Sequence, residues 1–343
     1  MQQTVHIAAP GTPERADQIK SWLRTVTLTE PQTLRPGGSD ASVRVYWRAT
    51  WPDRTLIVMD ADPQAFNVQP FLAIGQQLAA GGIHVPAVIA HDEALGLTLL
   101  DDLGDVLLAD LLTSEAAAKA WYLRAIDTLV DIQKNMTFDH LPVFDAAFLR
   151  REMDIGREWY LGKYLGVELE GKALQVWERS TALIVAQCMS QPMGFMLRDY
   201  HSRNLMLKND DLYVIDFQDA VKGPLCYDVV SLFRDAYVEW DEGFVLDLVI
   251  RYWEKARAAG VPVNPDFGDF YKAFEWQGLQ RHLKVLGLFA RLHLRDGKDR
   301  YLDDLPRVLG YMRKVCQRYD ELTGLYRILL NAQGEKIESG FTF

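Results

Sequence analysis

Apolar and polar residues follow two different periods along this chain, and the change of period divides it into a β-rich start and a helical remainder. In residues 43–49, valines and a tryptophan alternate with arginines and a tyrosine. A turn at 51–53 follows, and then a largely apolar segment from Thr55 to Asp60 that is predicted to be a strand. An alternating strand followed by a turn and a second strand predicts a β-hairpin.

Other early segments show turn signals between short periodic runs. Thr12-Pro13-Glu14 is a typical helix start, so a helix is predicted to about residue 26. A second helix is predicted from 66 to 80, ended by two glycines, and two further strands at 84–91 and 96–100. The first hundred residues therefore predict a small lobe that contains both strands and helices.

After residue 107 the helical period dominates. Helices are predicted at about residues 115–135, 145–165, 171–190, 225–238, 242–259, 267–295 and 303–331. In this half, strands are predicted only in a hairpin around 208–215. The whole pattern predicts an α+β protein with a small N-terminal β-rich lobe and a large, mainly helical C-terminal lobe.

Composition limits the partners and the compartment. The chain has 343 residues, 37 basic against 47 acidic, and a net charge of −10, which argues against nucleic acid or an anionic membrane as the main partner. Its three cysteines are widely spaced, which indicates free thiols rather than a metal or disulfide motif. No signal-peptide core and no membrane-spanning run is present, so we expect a cytoplasmic protein, with no obligate protein partner indicated.

Candidate chemistry is concentrated between residues 196 and 219. Asp199 is followed five residues later by Asn204, and the predicted hairpin then leads to Asp216-Phe217. A carboxylate can accept the proton of an attacking hydroxyl, which suits Asp199, and Mg²⁺ prefers the hard oxygens that Asn204 and Asp216 offer. The same Asp, Asn and Asp-Phe order occurs in protein kinases, although here the histidine before Arg-Asp and the glycine after Asp-Phe are missing.

These segments resemble the aminoglycoside phosphotransferase family of small-molecule kinases. The resemblance rests on residues 198–204, 215–220 and 227–232, with further matching segments at 39–42, 157–160 and 280–287. It implies a protein-kinase-like bilobal fold, with a nucleotide-binding lobe at 1–102 and a lobe at 103–343 that carries the catalytic loop and the acceptor site. It also implies ATP and Mg²⁺ as cofactors, with ATP between the lobes.

Within that family, the segments are most similar to kinases of N-acetyl amino sugars. The resemblance implies phosphorylation of the anomeric hydroxyl of N-acetylmuramate or N-acetylglucosamine during peptidoglycan recycling. Two alternatives stay open. One is a kinase of the same fold for another acceptor, such as an aminoglycoside, choline or a different sugar. The other is a non-catalytic nucleotide-binding module, which the absence of the usual strand lysine suggests.

The nucleotide-binding candidates come from two segments. Gly37, Gly38 and Ser39 stand before the predicted hairpin, where glycines let backbone N–H groups approach phosphate closely. The resemblance places a hinge at residues 101–105, whose backbone, at Asp101 and Leu103, would meet the adenine edge.

The kinase pattern lacks its usual lysine and glutamate here. No lysine occurs between Lys20 and Lys119, and Met59 stands near the lysine position. If the hairpin turns about Trp51-Pro52, Arg44 lies nearly opposite Met59. We therefore predict that Arg44 replaces the lysine at the ATP phosphates, held by Asp60 or Asp62.

Acceptor-site candidates lie in and near the catalytic loop. Arg198, His201 and Arg203 could contact phosphate or substrate, and Asp219 could hydrogen-bond a sugar hydroxyl or brace its own loop. Asp228 is predicted to cap its helix and brace the catalytic loop.

Two conspicuous groups are predicted to be structural. The cluster at residues 281–284 is interpreted as one polar helix face, and the large aromatic residues at helical spacing are interpreted as core.

Overall fold

The computed structural model describes residues 7–37 and 44–335, which belong to two compact units. The first unit is formed by Met1–Leu107 and Leu205–Asp219, and the second by Leu108–Asn204 and Ala220–Phe343. The sequence-based division at 102/103 assigns residues 205–219 to the second lobe, whereas in the structure this segment packs with the first unit.

The first unit is built on a five-stranded antiparallel sheet. Its strands are β1 (Thr33–Pro36), β2 (Arg44–Thr50), β3 (Thr55–Ala61), β4 (Val88–Asp92) and β5 (Leu97–Asp101). They lie in the order β1-β2-β3-β5-β4. The predicted hairpin is confirmed as β2–β3, whose strands pair antiparallel from Thr50–Thr55 to Arg44–Ala61. Successive side chains of a strand point to opposite faces, so one face of the hairpin packs against a helix.

Two helices accompany this sheet. Helix α1 (Pro13–Thr27) begins as predicted, with the Thr12 hydroxyl accepting a hydrogen bond from the Arg15 N–H. Its Trp22 packs with Trp47 of β2 in a common core. Helix α2 (Gln69–Ala80) begins three residues later than predicted. The apolar face of α1 thus covers strands that would otherwise expose hydrophobic side chains.

A second hairpin, β7 (Leu205–Lys208) and β8 (Asp211–Val214), completes the first unit. Its turn consists of Asn209 and Asp210, both at positive φ, which is the geometry of a two-residue hairpin turn. The Val214 N–H donates to the carbonyl of His84 at 2.9 Å. This bond and the stacking described below for Phe217 explain why the segment belongs to the first unit.

The second unit is mainly helical. Its helices are α3 (Leu108–Leu111), α4 (Glu115–Asn135), α5 (Ala146–Ile155), α6 (Gly171–Met189), α7 (Cys226–Phe233), α8 (Glu242–Ala259), α9 (Phe267–Asp296), α10 (Leu305–Arg318) and α11 (Thr323–Ala332). A π-helix, Gly156–Tyr164, continues α5. Helices α4 and α8 have their predicted bounds, because a serine and an aspartate cap them where the apolar period begins.

Several predicted elements of this unit were wrong. Strands β6 (Met193–Met196) and β9 (Val221–Pro224) pair with each other, although four residues each are too few to show alternation. The helix predicted at 225–238 ends at Phe233. The one predicted at 303–331 is divided at Tyr319, whose extended backbone lets its hydroxyl donate to Glu275 at 2.8 Å.

Helix α9 is the centre of the second unit. Every residue from 273 to 287 is buried, so this helix has no solvent-exposed face over four turns. It approaches the end of α5 closely: a Cβ on Gly287 would lie 2.3 Å from the Ile155 carbonyl oxygen, and one on Gly156 would lie 2.4 Å from the Leu283 carbonyl oxygen. Glycine at both positions permits this backbone contact, which brings the buried middle of α9 against the end of α5.

Within the described residues, no helix is long and apolar enough to cross a membrane.

Candidate active site

The predicted catalytic loop, residues 197–204, is held in an unusual backbone conformation. Arg198 has φ of 74°, a region that non-glycine residues rarely occupy. The buried Asp228 carboxylate accepts the Leu197 N–H at 2.7 Å and the Arg198 N–H at 3.0 Å, one on each oxygen. The predicted bracing role of Asp228 is therefore confirmed, although it lies in the first turn of α7 rather than at its cap.

Arg281 holds the same loop from helix α9. Its Nη1 donates to the Arg198 carbonyl at 2.8 Å and to Oδ1 of Asp199 at 3.2 Å. The arginine side chain is only 6% exposed, whereas that of Asp199 is 36% exposed. One guanidinium thus fixes both the strained peptide and the carboxylate beside it, while the rest of the carboxylate is accessible.

The protonation state of Asp199 follows from its neighbours. Partial burial alone would raise its pKa, but the charges of Lys284, Arg281 and His201 outweigh burial and hold the pKa well below its usual range. Asp199 is therefore a carboxylate at any pH near neutrality.

A buried ionic cluster acts electrostatically on Asp199. Nζ of Lys284 lies 3.3 Å from Oε1 of Glu152 and donates to the Tyr227 hydroxyl at 3.3 Å. Nη2 of Arg198 donates to the same Glu152 oxygen at 2.8 Å. Burial would raise the pKa of Glu152, but Lys284 and Arg198 lower it, so the cluster carries two cations against one buried carboxylate. The excess positive charge stabilises the Asp199 anion.

Asn204 ends the catalytic loop in a short 3₁₀ turn, Ser202–Asn204. Its Nδ2 donates to the Asp199 carbonyl at 3.0 Å. Because the amide nitrogen is turned into the loop, the amide oxygen is the atom presented for a cation.

Asp216 and Arg44 meet in the first unit. Nη2 of Arg44 donates to Oδ1 of Asp216 at 2.9 Å, and Asp216 has φ of 58°. The predicted partners of Arg44 were wrong: Asp60 is fully buried and binds Arg15 instead, at 2.8 Å. Asp216 is kept in place by its neighbour Phe217, whose ring stacks on Phe71 of α2 at 5.1 Å.

The predicted pairing of Arg44 with Met59 was also wrong. Arg44 lies opposite Ala61, and Tyr46 lies opposite Met59. The register differs by two residues because Thr50 pairs with Thr55, which centres the turn one residue later than predicted. A shift of two keeps the side-chain face, so Arg44 and Met59 still lie on the same side of the sheet.

The other residues predicted to bind the nucleotide differ in what the structure shows of them. Gly38 and Ser39 lie outside the described residues. The Gly37 N–H donates to the Tyr46 carbonyl at 2.6 Å, so it is used within the sheet. The Asp101 side chain accepts from the Ala87 N–H and from Lys208, and Leu103 is 6% exposed. Both hinge side chains are thus occupied internally, as expected for a segment that would present its backbone.

The acceptor candidates differ in how much they are engaged. Arg198 is committed to Glu152 within the buried cluster. The ring of His201 lies 5.4 Å from that of Tyr237, and the Arg203 guanidinium lies 3.7 Å above the Tyr237 ring. Asp219 lies in the first unit, where it accepts a hydrogen bond from Nε2 of Gln218 at 3.4 Å. The negative charge of Asp219 helps to raise the pKa of Arg44.

Sequence reasoning missed the buried cluster. Residues 281–284 were interpreted as a polar surface, yet Arg281 and Lys284 are 5% and 7% exposed. A usable signal was present: apolar residues surround these cations on all sides of the helical wheel, which is typical of a helix buried all round. Glu152 gave no such signal, because it follows two arginines on an ordinary amphipathic helix.

The family model described as "Phosphotransferase enzyme family" matches residues 33–261. That range contains the catalytic loop, both hairpins and the hinge, so the chain belongs to the phosphotransferase enzyme family.

Two relatives match most of the chain. The N-acetylmuramate/N-acetylglucosamine kinase of Neisseria meningitidis is 45% identical over 335 residues, covering 96% of this chain and 100% of the relative. The protein of the same name from Pseudomonas aeruginosa is 45% identical over 299 residues, covering 87% and 88%. The crystal structure of a spectinomycin phosphotransferase, in complex with ADP and spectinomycin, has a TM-score of 0.58 at 12% identity and covers 86% of this chain and 93% of its own. The fold is therefore kinase-like, as the sequence predicted.

Proposed function

We propose that this protein transfers the γ-phosphoryl group of ATP to the anomeric hydroxyl of N-acetylmuramate and N-acetylglucosamine, giving the sugar 1-phosphate and ADP. The relatives' names supply the acceptors, since those proteins cover most of this chain at 45% identity. The observation that carries the reaction is the accessible Asp199 carboxylate fixed by Arg281.

Asp199 orients the attacking hydroxyl and receives its proton. The sugar oxygen forms a bond to the γ-phosphorus, the bond from that phosphorus to the β–γ bridging oxygen breaks, and the hydroxyl proton passes to Asp199. A carboxylate with a lowered pKa is a weak base, which suits a loose transition state in which the proton leaves late. Its main contribution is then the position of the nucleophile.

Asn204 and Asp216 fit the hard-oxygen chemistry of Mg²⁺, one through its amide oxygen and the other through its carboxylate. When bound, Mg²⁺ neutralises charge on the phosphate oxygens. Two protein ligands are enough for such a role, because Mg²⁺ is usually held by one or two protein groups together with substrate phosphates and water. Arg44 would contact the same phosphates, and Gly37, Gly38 and Ser39 would cover them. The backbone at Asp101 and Leu103 would meet the adenine.

The test is ADP release with magnesium-ATP against N-acetylmuramate, N-acetylglucosamine, unmodified hexoses, choline and kanamycin. We expect turnover on the two N-acetyl sugars, and a loss of roughly 10²–10⁴-fold in Asp199→Asn, whose amide keeps the shape but lacks the negative charge that orients the hydroxyl and accepts its proton. Asp131→Asn, which removes an exposed carboxylate from α4, is the matched control and should leave turnover unchanged.

If no acceptor gives ADP release although the protein binds ATP, the non-catalytic nucleotide-binding alternative is favoured. Turnover on choline or kanamycin alone would show that the enzyme is a kinase of the same fold with a different acceptor. An Asp199→Asn variant as fast as the unmodified enzyme would contradict the assignment of the base.

A further inference from the structure

Arg203 is the exposed cation of the catalytic loop. Its guanidinium carbon lies 3.7 Å from the centre of the Tyr237 ring, within the distance of a cation–π contact. Among the described residues, none forms an ion pair or a hydrogen bond with this guanidinium. A planar guanidinium stacked in this way keeps its donor edges directed sideways, where they can bind an oxyanion.

The stacked pair is held by a buried carboxylate. Asp235, 2% exposed, accepts the N–H of Ser202 at 3.0 Å and its hydroxyl at 2.5 Å through one oxygen. Its other oxygen accepts the Tyr237 N–H at 3.0 Å. Ser202, which precedes Arg203, and Tyr237, on which Arg203 stacks, are therefore both bound to Asp235. The Arg203 guanidinium is thus pre-organised.

His201 connects this pair to the proposed base. The ring of His201 packs edge-on against Tyr237 at 5.4 Å, and the charge of His201 acts on Asp199. Arg203 itself is four residues after Asp199 and directly precedes Asn204. A substrate whose hydroxyl meets Asp199 would thus place its substituents near Arg203.

We propose that Arg203 binds the acceptor's carboxylate and makes the enzyme favour a carboxylated amino sugar over its uncharged counterpart. The inference rests on the proposed function. N-acetylmuramate differs from N-acetylglucosamine by a lactyl ether that ends in a carboxylate, and arginine binds carboxylates through two parallel hydrogen bonds. Because the chain carries a net charge of −10, an anionic acceptor needs such a local cation.

The experiment measures kcat and KM for N-acetylmuramate, its neutral methyl ester and N-acetylglucosamine in the unmodified enzyme, Arg203→Gln and Arg203→Lys. Loss of the charged pair should reduce the muramate-to-glucosamine ratio of kcat/KM by roughly ten- to a hundredfold in Arg203→Gln, mainly through KM. Arg203→Lys should fall between the two, since lysine keeps the charge but not the fork.

The ester gives the decisive comparison, because it removes the charge from the substrate instead of from the enzyme. The unmodified enzyme should prefer the acid to the ester, and Arg203→Gln should not. Arg257→Gln is the matched control: Arg257 is also an exposed arginine, stacked on Trp253 at 4.7 Å, so its loss changes net charge equally and should preserve the preference. Thermal unfolding of each variant checks the fold.

Two results would overturn the inference. An equal loss for all three acceptors in Arg203→Gln would show that Arg203 serves the phosphoryl group or the loop. An unaltered acid-to-ester preference would show that the lactyl carboxylate binds elsewhere. Both differ from failure of the proposed function, in which the unmodified enzyme would phosphorylate neither sugar.

Discussion

At the residue scale, the low pKa of Asp199 depends chiefly on Lys284 and Arg281, two buried cations of helix α9. Arg281 contacts the carboxylate directly, while Lys284 acts on it from the Glu152 cluster. Removing a cation from this set leaves the carboxylate with less compensation for its partial burial. The pKa of Asp199 must then rise towards the pH range in which kinases are assayed.

The first prediction uses two Arg281 variants. In the unmodified enzyme, Asp199 should give no acid limb in kcat/KM down to about pH 5, because its pKa is held below its usual range. In Arg281→Gln a limb should appear at higher pH, together with a lower plateau. Arg281→Lys keeps the charge, so it should lower the plateau through altered geometry but keep the limb low. The measurement is the pH profile of kcat/KM within the range in which each variant remains folded.

The two variants separate charge from position. If both give the same profile, position alone matters and the electrostatic explanation is wrong. If neither lowers the plateau, Arg281 does not position Asp199.

The second prediction concerns Arg44 in the first unit. If this guanidinium contacts the ATP phosphates, Arg44→Ala should weaken the binding of magnesium-ATP by roughly tenfold, the loss of about one charge-assisted hydrogen bond. The control is Arg54→Ala, in the turn of the same hairpin, where the guanidinium stacks on Trp51 at 5.3 Å. Calorimetric titration with ATP measures both. Unchanged nucleotide affinity and turnover in Arg44→Ala would mean that this arginine serves only Asp216.

At the element scale, the site depends on how closely α9 approaches α5. The contact is made by glycines on both sides. A Cβ added at Gly287 would lie only 2.3 Å from the Ile155 carbonyl oxygen. A methyl group there must move backbone, not a flexible side chain. Since Glu152 is on α5 and Lys284 on α9, such a movement separates the ion pair.

The third prediction is that Gly287→Ala destabilises the helical unit and reduces turnover, in contrast to alanine at another helical glycine. Overpacking of this kind costs about 1–3 kcal/mol. Gly310 of α10 has open space at its Cβ position, so Gly310→Ala should stabilise by about 0.5–1 kcal/mol through helix propensity. Urea unfolding and kcat measure both. A Gly287→Ala variant as stable and as active as Gly310→Ala would show that the two helices can separate without cost.

Elements with strong local signals were predicted closely from the sequence, and those fixed by distant contacts were not. Helix α4 begins and ends as predicted because Ser114 caps it and its apolar period is unbroken. The interruption at Tyr319 depends on Glu275, 44 residues away, which no local pattern reveals. The candidate residues Asp199, Asn204 and Asp216 could be proposed from the sequence because their motif occupies one short stretch of it; their roles stay predictions.

The partners of the site residues were less predictable for the same reason. Arg44 was predicted to bind an acid of its own hairpin, but its partner Asp216 is 172 residues away in sequence. Arg281 and Glu152 likewise reach the site through packing of whole helices. Sequence reasoning therefore predicted the candidate reacting groups, whereas the contacts that hold them required the fold.

At the scale of the whole molecule, two buried groups give the stability opposite dependences on pH. Burial lowers the pKa of His282 from 6.5 to about 3, and its Nε2–H donates to the Arg234 carbonyl at 3.0 Å. Between these values the unfolded chain binds a proton that the folded one does not, so stability falls as pH decreases below 6.5. Burial raises the pKa of Asp228 to about 7, so this carboxyl binds its proton in the folded state and opposes the loss.

The fourth prediction isolates the histidine by difference. His282→Gln keeps an N–H donor for the Arg234 carbonyl but cannot titrate. Between pH 7 and pH 5 the unmodified protein should therefore lose about 2 kcal/mol more than the variant, the linkage value for a proton excluded over that interval. Urea unfolding at several pH values measures the difference, in which the Asp228 contribution cancels. His140→Gln, at an exposed position, is the control for losing a histidine. Parallel stability curves for His282→Gln and the unmodified protein would show that His282 accepts a proton without unfolding, and that α9 can accommodate a further cation beside Arg281.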